Sequence, residues 1–169
     1  MSDAIRLKQV VAEDFCNYKI PSMFLITCFC DWKCCMEGKF DISVCQNSSL
    51  KEYPIKEYTF ESLYEFYVSN SITKAIILGG LEPLLQSEEL YALISFFRKK
   101  GCNDKFLIYT GYTEDEVASD NQYKKLLTLS NIVFKFGRFK LNDESRFDEV
   151  LGIELASQNQ YGKEFNSLA

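Results

Sequence analysis

The sequence predicts an α/β fold with a mostly parallel sheet, and two observations indicate it. Apolar runs of strand length alternate with segments whose apolar residues recur at helical spacing, which is the order of parallel β-α units. Glycines and other turn residues follow directly after the apolar runs, as they do at strand ends. With 169 residues, the chain is predicted to be one domain, spanning residues 1–169 around a single core.

The N-terminal part is predicted to contain an entry strand and a loop at residues 5–20, with a stop at Pro21. Residues 23–27 form a compact apolar run that is typical of a buried strand. The long segment that follows, residues 28–49, contains five of the seven cysteines, and we name it the cysteine loop. A loop of this length inside a compact domain is usually functional.

The rest of the chain is predicted to contain further strands at residues 74–78, 105–109, 132–136 and 152–155. Thr59 and Ser87 are the predicted N-caps of two helices whose apolar residues recur at helical spacing. Thr113 and Glu116 form a capping box for a third helix, which is predicted to run to Leu127 with a break near residue 120.

Composition and charge exclude several classes of function. The net charge of −5 argues against nucleic-acid binding, which normally requires a basic face. The longest apolar runs are far shorter than the roughly 20 residues of a membrane span, and the N-terminus has no apolar core of a secretory signal. The odd number and crowding of the cysteines favour a reduced, metal-binding use over disulfides, so we expect a cytoplasmic protein.

The cysteine loop predicts a metal site with thiolate ligands, which suit zinc or an iron–sulfur cluster. The chain contains no histidine, so mixed Cys/His zinc sites are excluded. Cys30, Cys34 and Cys45 offer three thiolates, and a cluster held in this way leaves one iron open for a chelating ligand. Cys28 and Cys35 offer the alternative of a closed four-thiolate zinc site. The spacing of the cysteines alone does not decide between the iron–sulfur cluster and the zinc site.

The turn after the predicted strand at residues 74–78 favours the cluster with an open iron. In parallel sheets, ligands bind beyond the carboxyl ends of the strands, where this turn lies. Gly79 and Gly80 allow the backbone to approach a ligand closely, Pro83 stiffens the exit, and Glu82 can accept a hydrogen bond from an ammonium group.

Taken together, these residues resemble the radical S-adenosylmethionine enzymes, in particular the small activating enzymes of anaerobic ribonucleotide reductase. The resemblance covers residues 23–161 and rests on four motifs in the family's order. The motifs are Cys30-x3-Cys34 with Cys45-Gln46-Asn47, Gly79-Gly80-Leu81-Glu82-Pro83-Leu84, Tyr109-Thr110-Gly111-Tyr112-Thr113, and Ser157-Gln158-Asn159-Gln160. The chain departs from the family in three places. Ten residues separate Cys34 from Cys45 where the family has two, Val44 replaces an aromatic residue, and Lys135-Phe136-Gly137-Arg138-Phe139 lacks the family's acid.

The resemblance implies a partial (β/α) barrel with mostly parallel strands that generates a 5′-deoxyadenosyl radical for a glycyl radical protein. It implies a [4Fe-4S] cluster on Cys30, Cys34 and Cys45, with Cys28 or Cys35 as possible replacements. It places S-adenosyl-L-methionine beside a second set of residues, namely Gly79, Gly80, Glu82, Thr110 and Arg138. The implied partners are the large catalytic subunit of an anaerobic ribonucleotide reductase and a reduced flavodoxin or ferredoxin-type electron donor. No protein side chain is expected to act as a general base. The alternative is a non-catalytic zinc or iron–sulfur module for structure or partner binding.

Overall fold

A computed structural model describes residues 3–168, which form a mixed α/β fold. The first half contains, in order, β1 (Ala4–Leu7), β2 (Gln9–Asp14), β3 (Ser22–Ile26), α1 (Lys33–Gly38), β4 (Lys56–Thr59), α2 (Phe60–Ser69) and β5 (Ala75–Gly79). The second half contains α3 (Ser87–Lys99), β6 (Lys105–Tyr109), α4 (Glu114–Ser119), β7 (Ile132–Phe136), β8 (Arg146–Asp148), β9 (Ile153–Leu155) and β10 (Tyr161–Phe165). Short 3-10 helices lie in the connections at Ile42–Val44, Ser48–Glu52, Pro83–Gln86 and Lys124–Thr128.

The central sheet is largely parallel, as predicted. Its strand order is β10-β7-β6-β5-β3-β2, and β3, β5, β6 and β7 pair in parallel. The two edge strands, β2 and β10, are antiparallel to their neighbours. The α/β class is therefore confirmed, while closure toward a partial barrel stays a prediction.

Side chains of the parallel strands alternate between two apolar layers. On one face, Ile76 and Leu78 of β5 pack with buried residues of α2, α3 and α4. On the other face, Ile77 packs in a second cluster that includes Tyr18 and Leu151. The alternation follows from the two-residue period of a strand, and burial on both faces explains the continuous apolar runs of the sequence. Within residues 3–168, no helix is long and apolar enough to cross a membrane.

The strongest local signals predicted their elements closely. The strands at residues 105–109 and 132–136 have the predicted bounds, and β5 is displaced by one residue from the predicted 74–78. Thr59 caps α2, with its hydroxyl accepting from the Ser62 amide. The prediction for Ser87 was wrong: Ser87 is the first residue of α3, and Gln86 is the N-cap without a side-chain capping bond.

Three features of the fold were not predicted. β1 pairs with β4 in a separate antiparallel ribbon. The predicted strand at residues 152–155 corresponds to β9, which pairs with β8 in a hairpin outside the central sheet. The chain then returns to the sheet as β10, where Tyr161 lies opposite Phe136.

Candidate functional site

The loops that follow the four parallel strands line one cavity of about 670 Å³. Seven of the eight residues that the sequence singled out lie in its wall: Cys30, Cys34, Cys45, Gly80, Glu82, Thr110 and Arg138. Gly79, the eighth, lies at the end of β5 and is not in the wall. Of the two alternative cysteines, Cys35 lines the cavity, whereas Cys28 is buried beside it and its amide donates to the side chain of Gln86.

Two cysteines of the cysteine loop, Cys34 and Cys35, lie on a short helix. Trp32, in the left-handed conformation with φ of 58°, starts α1, which contains Cys34 and Cys35. The sulfur of Cys30 accepts a backbone N–H bond from Trp32 at 3.4 Å. Burial raises the pKa of Cys30 to about 12 and also raises the pKa of Cys34, so metal binding here must release protons.

Within residues 3–168, no three Cys, Asp or Glu side chains are arranged to hold a single metal ion.

Glu82 is a buried carboxylate with one acceptor position that no group of residues 3–168 occupies. Its Oε1 accepts from the Leu84 amide at 3.1 Å and from the Thr110 hydroxyl at 2.8 Å, and its Oε2 accepts from the Gly111 amide at 2.9 Å. A carboxylate offers about four acceptor positions, so Oε2 keeps one for a ligand. Burial nevertheless raises the pKa of Glu82 to about 7. A cationic ligand group at this position would therefore favour the ionised carboxylate.

Arg138 ties the cysteine loop to α4. Its guanidinium donates to both oxygens of Glu37 in α1, at 3.0 and 3.1 Å, and to both oxygens of Glu116 in α4, at 2.8 and 2.6 Å. A further N–H bonds the Gly111 carbonyl at 2.5 Å. These contacts use all five N–H donors of the group. Contact with a cofactor carboxylate stays a prediction for Arg138, and it would require the loss of one of these bonds.

Tyr112 makes a second contact between the same loops. Its hydroxyl donates to Asp31 at 2.6 Å, and its ring lies 4.2 Å from the Lys33 ammonium and 5.3 Å from the Arg138 guanidinium. Asp31 and Lys33 lie between Cys30 and Cys34, so Tyr112 and Arg138 together fix the loop against the end of β6.

Two glycines are required by close packing at the strand ends. Gly80 has φ of +87°, and a Cβ there would lie 2.8 Å from Ile26. A Cβ on Gly111 would lie 3.2 Å from the sulfur of Cys34 and 3.7 Å from Glu82. A side chain at position 111 would therefore press on the sulfur of Cys34, one of the predicted cluster ligands.

A model of the 4Fe-4S single cluster domain family matches residues 22–160. The chain belongs to this family. The match covers β3, the cysteine loop and every strand end around the cavity, and it supports a [4Fe-4S] cluster as the metal group. No curated protein matches the chain.

The residues of this 4Fe-4S single cluster domain fit an iron–sulfur group. Four thiols line the cavity, those of Cys30, Cys34, Cys35 and Cys45, in a chain without histidine, and the backbone amide of Trp32 donates to the sulfur of Cys30. Hydrogen bonds from backbone amides to the sulfurs of cluster ligands are one of the means by which a protein sets the cluster's reduction potential. Cys30, Cys34 and Cys45 stay the predicted ligands, and Cys35 stays the alternative because it lines the same cavity.

Sequence reasoning missed four polar residues of the 4Fe-4S single cluster domain: Asp31, Glu37, Glu116 and Lys135. The first three contact partners far away in sequence, 101 residues away for Glu37 and Arg138. Glu116 was singled out only as part of a capping box, which it also forms. Lys135 sits on β7 and turns its side chain into the cavity wall. The alternation of β7 was the available signal, because Lys135 takes the same face as Val133 in an otherwise apolar strand.

Proposed function

We propose that this protein is a radical S-adenosylmethionine activating enzyme that installs a glycyl radical on an anaerobic ribonucleotide reductase. The observation that carries the proposal is that Glu82, with an open acceptor position, shares one cavity wall with the three predicted cluster ligands. A cluster with an open iron and a carboxylate that accepts from an amino group are what an amino-acid chelate requires.

When bound, a [4Fe-4S] cluster supplies one electron to S-adenosylmethionine, which divides into methionine and a 5′-deoxyadenosyl radical. The chain's own residues bind the metal group and the ligand and orient them. Cys30, Cys34 and Cys45 would hold the metal, Glu82 would accept a hydrogen bond from the ligand's amino group, and Thr110 fixes Glu82 through a 2.8 Å bond. Gly80 lets the backbone pass close to the ligand because it carries no side chain.

Exposed apolar side chains beside the cavity support a large protein partner. A primary carbon radical must be shielded from solvent, and a docked protein surface can supply that cover. Met36 and Val44 of the cysteine loop are 65% and 41% exposed, although both are apolar. Their exposure beside the cavity favours a partner that covers the loop. A reduced flavodoxin or ferredoxin-type protein is the proposed electron donor.

The proposal is tested first on the protein prepared without oxygen. We expect about four irons per chain, binding of S-adenosylmethionine, and slow release of 5′-deoxyadenosine with a reductant. A colourless protein with one zinc would instead establish the non-catalytic module.

The partner is tested by adding a glycyl radical reductase from the same source. We expect faster cleavage and a glycyl doublet in the electron paramagnetic resonance spectrum. Efficient turnover of a free metabolite, without a doublet on any co-encoded reductase, would overturn the activating role and leave the radical cofactor in place.

A further inference from the structure

Three cationic side chains line the cavity, and they differ in what they already contact. They are Lys33, Lys135 and Arg138. Arg138 has no N–H left, because Glu37, Glu116 and the Gly111 carbonyl accept all five. Lys33 lies 4.2 Å from the ring of Tyr112 and acts electrostatically on Glu116, which places its ammonium toward α4.

Lys135 is the cation with donors to spare. Its ammonium makes one long hydrogen bond, to the Gly137 carbonyl at 3.4 Å. No carboxylate of residues 3–168 lies within ion-pair distance of it. An ammonium has three N–H donors, so at least two remain for a ligand. A cation is costly to hold in a protein wall without a partner, and such a group marks a place where a partner binds.

The position of Lys135 relative to Glu82 indicates which ligand group it meets. Lys135 projects from β7 and interacts electrostatically with Cys34 and with Glu82. Glu82 offers an acceptor, Lys135 offers donors, and Cys34 marks the metal side of the same wall. The α-carbon of an amino acid carries both an amino group and a carboxylate, and this pair of side chains offers an acceptor for the first and donors for the second.

We propose that Lys135, and not Arg138, binds the carboxylate at the amino-acid end of the ligand. The amino group of the same ligand donates a hydrogen bond to Glu82. The identity of that ligand as S-adenosylmethionine rests on the proposed function. The assignment leaves Arg138 in its bonds to Glu37 and Glu116, so the cysteine loop keeps its attachment when the ligand enters.

The test compares two ligands on the cluster-loaded protein by equilibrium binding. The ligands are S-adenosylmethionine and its decarboxylated analogue, and the variants are Lys135→Met and, as the matched control, Lys33→Met. Lys135→Met should weaken the binding of S-adenosylmethionine about tenfold or more, which is the scale of one charge-assisted hydrogen bond. The affinity for the decarboxylated analogue should stay nearly unchanged. Lys33→Met, which also removes a positive charge from the cavity wall, should change the affinities of the two ligands by the same factor.

Iron content and thermal unfolding of each variant show whether the fold and the cluster are retained. If Lys135→Met loses iron, Lys135→Gln is measured in its place with the same two ligands, and iron loss in both variants would overturn the assignment in favour of a structural role. Equal weakening of both ligands, or a shift of the cluster's reduction potential without selective weakening, would also overturn it. A wild-type protein that holds iron but binds neither ligand would overturn the proposed function, which is a different result from loss of selectivity at Lys135.

Discussion

Replacing Arg138 by glutamine should destabilise the cluster-free protein at neutral pH, and much less so at acidic pH. The side chain of Arg138 is 10% exposed, and its partners Glu37 and Glu116 are 58% and 36% exposed. The variant loses both carboxylate contacts and leaves the Gly111 carbonyl without its donor. The loss should therefore exceed that of an ordinary surface ion pair.

The magnitude follows from the pKa of Glu116, which its bond to Arg138 lowers from 4.5 to about 2. That difference corresponds to at most about 3.4 kcal/mol, at about 1.36 kcal/mol per pH unit, and solvent screening of the 36% exposed carboxylate reduces it to about 1–2 kcal/mol. The Gly111 bond adds about 1 kcal/mol, and the more exposed Glu37 adds less. We expect a total of about 2–3 kcal/mol at pH 7.

The pH dependence has a definite sign. A lowered pKa in the folded state gives a stabilisation that is fully present above pH 4.5 and is lost as the pH falls toward 2. Urea unfolding of the wild type and Arg138→Gln should thus show a difference that narrows to about 1 kcal/mol near pH 2.5. Glu37→Gln is the matched control, and its cost should be below about 1 kcal/mol. A difference between wild type and Arg138→Gln that stays constant from pH 7 to 2.5 would refute the reasoning.

Four further predictions concern the site itself. Alanine at any of the predicted cluster ligands should remove most of the iron, whereas Cys28→Ala should retain it; iron loss in Cys35→Ala together with retention in Cys45→Ala would show that the ligand assignment is wrong. Glu82→Gln should weaken S-adenosylmethionine binding about tenfold or more in calorimetry, and an unchanged dissociation constant would reject the contact. In the cluster-free protein, the raised pKa of Glu82 means that stability is fully present below pH 4.5 and is lost as the pH rises to about 7, and Glu82→Gln should abolish that loss in urea unfolding. Gly111→Ala should cost about 1–3 kcal/mol and lower the iron content, since its Cβ presses on Cys34; a wild-type midpoint and iron content would contradict this.

The sequence predicted those parts of the fold that depend on neighbouring residues. β6 and β7 are apolar runs with turns on both sides, and the Thr113 capping box reports its own helix start. β10 could not be predicted in this way, because Tyr161–Phe165 is mostly polar and becomes a strand by pairing with β7 at the sheet edge. Its existence is a tertiary effect.

The same division holds for the site. From the sequence alone, the rule that ligands bind beyond strand ends predicted that Cys30, Glu82 and Thr110 lie close together, and all three line the cavity. The attachment of Arg138 to Glu37 joins residues 101 apart, and no local pattern encodes it. Lys135 resembles an ordinary strand charge until the structure shows that no carboxylate of the described residues pairs with it.

Gly111 has no side chain, yet its backbone joins the two halves of the site. Its amide donates to Glu82, and its carbonyl accepts from Arg138, which holds the cysteine loop. A ligand that tightens on Glu82 therefore acts on the same residue that supports the loop. Linkage between two binding events is reciprocal, so the factor by which the cluster raises ligand affinity must equal the factor by which the ligand raises cluster affinity. We expect the small molecule to protect the cluster from loss, to the same degree that the cluster prepares the cavity for the small molecule.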